Sequence, residues 1–393
     1  MGLPACQPVH ARHRLGAGGA DGAREAPPEP DRGRGPLAAG LIAAWLALAL
    51  AGGAAAETLR IATWDAGLSR RGPGLLLRDI AAGEAQVQAV VAVLAAMRPD
   101  ILLLTGIDHD HGQAALDALA GRLQDAGLAL PHRFARRPNT GMASGLDLDG
   151  DGRRGRPEDA QGYGWFAGEG GMAILSRLPI RDGEARDFSA LLWRDLPGAL
   201  IGDAGLTPEA AAAQRLSSVA HWAVPVEAPG GPLTLLAFSA TPPVFDGPED
   251  RNGRRNRDEA ALWLHYLDGG LGPVPEGPVV VLGNANLDPA DGEGRRDALA
   301  ALLAHPRLQD PAPRGPGGAA APDPGHGGDP ALDTADWDDP PGNLRVDYVL
   351  PDRRLAVRGA GVFWPAPDDP MAAVAAAASA HRPVWVDVEV PDG

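Results

Sequence analysis

The chain has 393 residues, with 35 basic side chains, every one an arginine, against 51 acidic ones, for a formal charge of −16. The absence of lysine excludes Schiff-base, P-loop and kinase-type lysine chemistry. The single cysteine, Cys6, excludes a disulfide framework or a cysteine zinc site, and the charge gives no general affinity for a polyanion.

Residues 1–36, rich in Gly, Pro and Arg and without an apolar period, are expected to be unstructured. Residues 37–50 are an apolar run, preceded by Arg32 and Arg34 and followed by Ala54-Ala55-Ala56, the order of charge, apolar stretch and small residues found in a secretory signal. The run is shorter than the roughly 20 residues of a membrane span. The expectation is therefore export to the periplasm or the medium with no membrane span left after cleavage; an uncleaved N-terminal anchor is the alternative. The remaining domain, 57–393, holds 30 arginines against 47 acids.

Within it, 59–64 reads as a buried strand, and 84–97 as a helix with apolar residues at Val87, Val90, Val91 and Leu94. Pro99 ends that helix, and 101–104 is an all-apolar strand of the kind covered on both faces. A helix at 114–128, a long polar stretch at 139–171, and strands at 172–175, 219–226 and 233–238 follow. Then come a helix at 258–267, a strand at 279–282, a helix at 298–304, a Pro/Gly/Asp loop at 311–341, and strands at 345–350 and 384–390. Alternating buried strands and helices argue for a single α/β domain with large loops and no internal repeat.

Several strands end in polar residues at recurring places: Thr63-Trp64-Asp65, Leu104-Thr105-Gly106, Gly171-Met172-Ala173-Ile174-Leu175-Ser176, Gly283-Asn284-Ala285-Asn286, Arg345-Val346-Asp347-Tyr348 and Ser379-Ala380-His381-Arg382. In this order they resemble the endonuclease/exonuclease/phosphatase superfamily, which includes DNase I-like nucleases, sphingomyelinases and inositol-phosphate phosphatases. The resemblance implies a four-layer α/β sandwich and metal-dependent phosphoester hydrolysis, with Mg²⁺ or Mn²⁺ neutralising phosphate charge and acidifying water. It also implies catalytic roles for His381, Asn286 and Asp347.

The implied site departs from the family's pattern. An asparagine is usual where Asp65 stands, and a metal-binding glutamate aligns with Gly106. A histidine aligns with Ser239, the aspartate of Gly-Asp-x-Asn with Asn284, and the aspartate before the last histidine with Ala380. Ala380 is expected to deprive His381 of an orienting carboxylate. Hard cations favour carboxylate oxygens, so Asp65, Asp108 and Asn284 are the metal candidates. Asp108, two residues past Gly106, returns to the same face by the strand period, so Asp108-His109-Asp110-His111 is either a rearranged metal site or a solvated strand-end loop. Two functions stay open: a phosphoester hydrolase, or a degenerate relative that binds a phosphorylated ligand or partner.

The stretch from Asp147 through Asp149 and Asp151 to Glu158 has the spacing of a calcium loop, with the position-7 carbonyl on Arg153. Arg153, Arg154 and Arg156 argue against it, so a Ca²⁺ loop and a plain acidic turn are both readings of this segment. Arg251 and Arg254 are candidate phosphate contacts, or part of a salt-bridged helix start. His221 is expected to be a satisfied core histidine, and the aspartates at 329–339 a solvated loop. The acidic balance favours a small phosphoester over DNA as ligand, with the protein a monomer.

Overall fold

In the computed structural model, residues 57–338 and 340–390 are described. The leader, the apolar run 37–50 and Asp339 lie outside the described residues. The strands are β1 (Thr58–Leu68), β2 (Ile101–Ile107), β3 (His132–Phe134), β4 (Gly171–Ser176), β5 (Arg186–Asp187), β6 (Ala220–Ala228), β7 (Gly231–Ser239), β8 (Val279–Asn284), β9 (Asp347–Pro351), β10 (Ala356–Val362) and β11 (Val384–Glu389). The helices are α1 (Leu75–Ala82), α2 (Ala85–Met97), α3 (Ala114–Asp125), α4 (Pro208–Ala213), α5 (Arg251–Leu267), α6 (Asp297–Leu303), α7 (Pro316–Ala320) and α8 (Met371–Ala378).

Two sheets result, one in the order β10-β11-β1-β2-β4-β3 and one in the order β5-β6-β7-β8-β9. Side-chain alternation explains why they stack. Along β1, Leu59 and Ile61 pack in a core shared with Val224, Leu235, Val280, Leu282 and Val349 of the second sheet. On the other face of β1, Ala62, Trp64, Ala66 and Leu68 pack in a core with α1, α2, α3 and α8. β8 repeats the pattern: Val280 and Leu282 face the first sheet, while Val279 and Val281 meet α5 and α6. A strand apolar on both faces cannot lie at a surface. The outcome is helices, sheet, sheet, helices, as the sequence implied.

Local chemistry sets the boundaries. The Glu84 carboxylate accepts from Gln86 N (3.0 Å) and Val87 N (3.3 Å), satisfying free amides at the start of α2. Arg98 closes that helix at φ 53 before Pro99. The structure adds α1, α4, α7, α8, β3, β5 and β10 to the expected elements, and α7 falls inside the segment expected to be loop throughout. α5 starts at Arg251, seven residues earlier than expected, because its charged first turns are paired and buried rather than solvated. Among the described residues no single helix is long and apolar enough to cross a membrane.

Candidate active site

The second sheet brings two of the substituted positions and the retained Asp347 side by side. Ser239 pairs with Asn284 across β7 and β8, and Asn284 with Asp347 across β8 and β9. The close approach needs Gly283: at φ 144, a Cβ there would overlap the Phe238 carbonyl oxygen. From the first sheet, Asp65 lies opposite Thr105. Asp65, Gly106, Ser239, Asn284 and Asn286 all line one cleft of about 870 Å³, with Asp149, Glu158, Asp246, Glu249, Arg251 and Arg255 around it. Acids outnumber bases in that lining.

Behind the cleft wall stands the best-formed constellation. His381 Nδ1 lies 2.8 Å from Asp347 Oδ2, with Asp347 fully buried and His381 nearly so. Thr334 builds the pair's support: its hydroxyl accepts from the Val346 N–H (2.9 Å) and the Asp347 N–H (3.0 Å) and donates to Asp347 Oδ2 (3.1 Å). Trp64 Nε1 donates to the His381 carbonyl (2.9 Å), and Trp337 packs edge-on to the imidazole at 5.2 Å. The Ser379 hydroxyl donates to the Asp65 carbonyl (2.7 Å) and accepts from the His381 N–H (3.1 Å), tying β1 to the histidine. Burial disfavours the imidazolium, but the Asp347 carboxylate outweighs it and pushes His381 up to about 9. His381 is therefore charged at neutral pH.

This corrects the reading of Ala380. The carboxylate that orients His381 comes from Asp347 on β9, so alanine at 380 leaves the pair intact. Thr334 and Trp337 were not foreseen, because they reach the pair from an irregular segment with no period.

Asp108 is also corrected. Thr105 pairs with Met172 and Ile107 with Gly171, so Gly106, at φ 61, is an extra, bulged residue. The bulge breaks the period of two, and Ile107 packs in the outer core beside Leu102 and Leu104. Asp108 falls past the strand end, where its carboxylate accepts from Ser69 Oγ (3.0 Å), Arg70 N (2.9 Å) and Gly170 N (3.1 Å). Asp110 Oδ2 accepts from Ala115 N (3.0 Å) at the start of α3. The segment from Asp108 to His111 is a structural corner and does not line the cleft.

Arg254 is the third correction. Its Nε donates to the Glu249 carbonyl (3.0 Å), its other arm faces Asp203 at 3.5 Å, and it is not part of the cleft lining. Arg251 does line the cleft, with its guanidinium donating to the carbonyls of Ala204 (3.1 Å) and Leu148 (2.9 Å). Arg255, one turn on, is buried; it donates to the carbonyls of Leu216 (2.8 Å), Arg215 (2.9 Å), Gln161 (2.5 Å) and Ser217 (3.1 Å). Four residues on, Glu259 accepts from Ser218 N (2.6 Å), Ser218 Oγ (2.8 Å) and Thr241 N (2.7 Å), so α5 pins the loops of the cleft floor.

In the loop with calcium spacing, ligand oxygens of Asp147, Asp149 and Asp151 come within 4.8 Å of one another, the one such group among the described residues. Arg153 contributes its N–H to Asp151 Oδ1 (2.7 Å). Glu158 is not part of the group and faces Arg156 at 3.7 Å. Closure falls instead to buried Asp159, which accepts from Leu148 N (2.9 Å) and Arg156 N (3.0 Å), because the short helix at 157–159 turns Glu158 outward. His221 is a satisfied core residue, with Nδ1 at 2.7 Å from Ser217 Oγ and Nε2 at 3.0 Å from the Glu259 carbonyl; burial lowers it to about 3. In the 329–339 loop, Asp336 pairs with Arg382 at 2.6 Å and Asp329 with Arg314, also at 2.6 Å. Asp333 is buried and pushed up to about 7, by that burial and by nearby Asp288. That loop is therefore not simply solvated.

The donor set suits a hard divalent cation. Asp65 offers a carboxylate that accepts from Gly67 N at 3.1 Å, Asn286 adds an amide oxygen, Asn284 Oδ1 accepts from Asn286 N (2.7 Å) and keeps one lone pair, and Asp347 Oδ1 is buried without a partner. The model of the endonuclease/exonuclease/phosphatase family matches residues 62–381. The chain belongs to that family. The family's chemistry is phosphoester hydrolysis, so the protein is of the phosphoester hydrolase kind. No curated protein matches the chain. Among solved structures, this family member is similar to an endonuclease/exonuclease/phosphatase from Beutenbergia cavernae, at 18% identity over 85% of this chain and 72% of the other, with a TM-score of 0.52. That similarity bears on the fold. Weaker similarities link it to a family protein from Leptotrichia buccalis (13% identity, 84% and 100% covered, TM-score 0.47) and to sphingomyelinase C from Streptomyces griseocarneus (14% identity, 84% and 99% covered, TM-score 0.47).

Proposed function

We propose that the protein is an exported, divalent-metal-dependent hydrolase of a small phosphoester. The observation that carries this reading is the buried Asp347–His381 pair, held by Thr334 beside a cleft lined by Asp65, Asn284 and Asn286. With Nδ1 committed to Asp347, the other ring nitrogen, Nε2, is the one free to meet a phosphoryl oxygen. A charged imidazolium there donates a hydrogen bond and opposes the negative charge that builds on phosphorus. Asp347 keeps the ring oriented and stabilises its charge. Asn286 projects from a left-handed backbone at φ 50, with Nδ2 donating to the Ala240 carbonyl at 2.7 Å; this leaves its amide oxygen for a cation or water. A divalent cation, when bound, would neutralise phosphate charge and acidify water; Asp65, Asn284 and Asn286 would hold it.

The acidic cleft lining supports a small ligand over DNA, since both lining arginines are spent on backbone carbonyls. Ca²⁺ at Asp147, Asp149 and Asp151 would have a structural role, ordering the loop above the cleft. The signal-like order of residues 32–56 supports export. Ser239, in place of a histidine, favours the second reading, a relative that binds without hydrolysing. The test is turnover of an aryl phosphodiester, a phosphomonoester and DNA with Mg²⁺, Mn²⁺ or Ca²⁺. Turnover that His381→Ala abolishes upholds the hydrolase; no turnover with any metal leaves the binding relative.

A further inference from the structure

The geometry points to Asp65 as the carboxylate ligand of the cleft cation, standing in the space that a side chain at position 106 would fill. The inference rests on the hydrolase reading for the presence of a cation and goes further in saying which residue supplies its charge. It starts from a steric fact. Gly106 sits in the bulge at φ 61, and a Cβ built on it would overlap Asp65 Oδ1 and lie 2.8 Å from both Asp65 Cγ and Oδ2. The two positions therefore compete for one volume: β1 can send a carboxylate into it only because β2 sends nothing.

Three observations say that this carboxylate is there for a ligand. Asp65 lines the cleft and is only half-buried, and its one recorded side-chain bond is from Gly67 N. Its backbone is fixed instead, through the Ser379 hydroxyl on its carbonyl, so the carboxylate is aimed without being consumed. Asp347 Oδ1, on the strand facing β1, is buried without a hydrogen-bond partner, a costly position for an oxygen unless something cationic or protic meets it. By contrast Asp108, just past the end of β2, has its oxygens occupied by three donors. Asp149, Glu158, Asp246 and Glu249 also line the cleft, but Asp65 is the one lining carboxylate carried on a sheet strand, with Asn286 offering its amide oxygen and Asn284 Oδ1 already accepting from Asn286 N (2.7 Å).

The test is Mn²⁺ binding to the full chain by calorimetry and electron paramagnetic resonance, with Asp149→Ala and Asp151→Ala introduced throughout to silence the exposed acidic loop. The parent is expected to bind one Mn²⁺. Asp65→Asn, equal in shape, is expected to weaken binding about tenfold or more. Gly106→Ala removes no ligand atom, yet its Cβ displaces the Asp65 carboxylate, so it is expected to weaken Mn²⁺ binding as well. Circular dichroism establishes that each variant folds, and Asp65→Asn decides the matter if Gly106→Ala does not. Unchanged Mn²⁺ affinity in folded Asp65→Asn, or no Mn²⁺ bound by the parent, overturns the inference. The two readings fail separately. Hydrolysis with Asp65-independent Mn²⁺ binding keeps the enzyme and removes this ligand. Asp65-dependent Mn²⁺ binding without turnover keeps the ligand and removes the enzyme.

Discussion

Replacing Asp347 by asparagine isolates the charge of the buried pair, because shape and one acceptor oxygen remain. In the folded protein His381 is pushed up to about 9 from an ordinary 6.5. At about 1.4 kcal/mol per pKa unit, a shift of roughly 2.5 units corresponds to about 3 kcal/mol. The group gains affinity for its proton on folding, so this contribution is full below pH 6.5 and lost as pH rises through about 9. In Asp347→Asn the ring loses its main stabilising charge, leaving burial and Arg382 to oppose the imidazolium and only the more distant Asp65 to favour it. The expected loss is about 3–5 kcal/mol at pH 6, falling to about 1 kcal/mol at pH 10, where the parent's ring is neutral and only hydrogen-bond quality differs. Urea unfolding at the two pH values measures the difference, and an NMR titration of His381 measures its cause. The same loss at both pH values, or a His381 that still titrates near 9 in the variant, would refute the ion-pair reasoning. In a hydrolase, kcat of the variant falls by about 10²–10⁴.

Thr334→Val leaves the Val346 and Asp347 amides and Asp347 Oδ2 without the hydroxyl and is expected to cost about 2–4 kcal/mol in urea unfolding; a loss below 0.5 kcal/mol would mean that another group takes over. Burial pushes Glu259 up to about 7, so Glu259→Gln is tested well above that pH; it turns an amide donor toward Thr241 N or the Ser218 donors, and stability is expected to fall by about 1–3 kcal/mol. A near-neutral result there would show that those donors find other acceptors. Ca²⁺ is expected to protect the loop at 145–160 from limited proteolysis in the parent and not in Asp147→Ala; equal cleavage with and without Ca²⁺ would assign Asp147 to the turn alone, where its oxygens already accept from Gly150 N and Gly152 N.

The sequence by itself determined the layers and most of the strands. Runs such as 101–104 and 279–282 are apolar at every position, and only a strand between two cores uses both faces. The resemblance carried by the short motifs around the strands pointed to Asp65, Asn284, Asn286, Asp347 and His381 as site residues. The tertiary structure decided what those residues do. Asp347 meets His381 from 34 positions away because the start of β9 and the segment leading into β11 come to one place, and Thr334 joins through a loop whose path no local pattern encodes. The period that carried Asp108 to the cleft on paper fails at one left-handed glycine, and that same glycine opens the space Asp65 fills. Periodicity constrains which face a side chain takes along an unbroken strand. A bulge, a long loop or two chain segments competing for one volume are settled only when the whole chain packs.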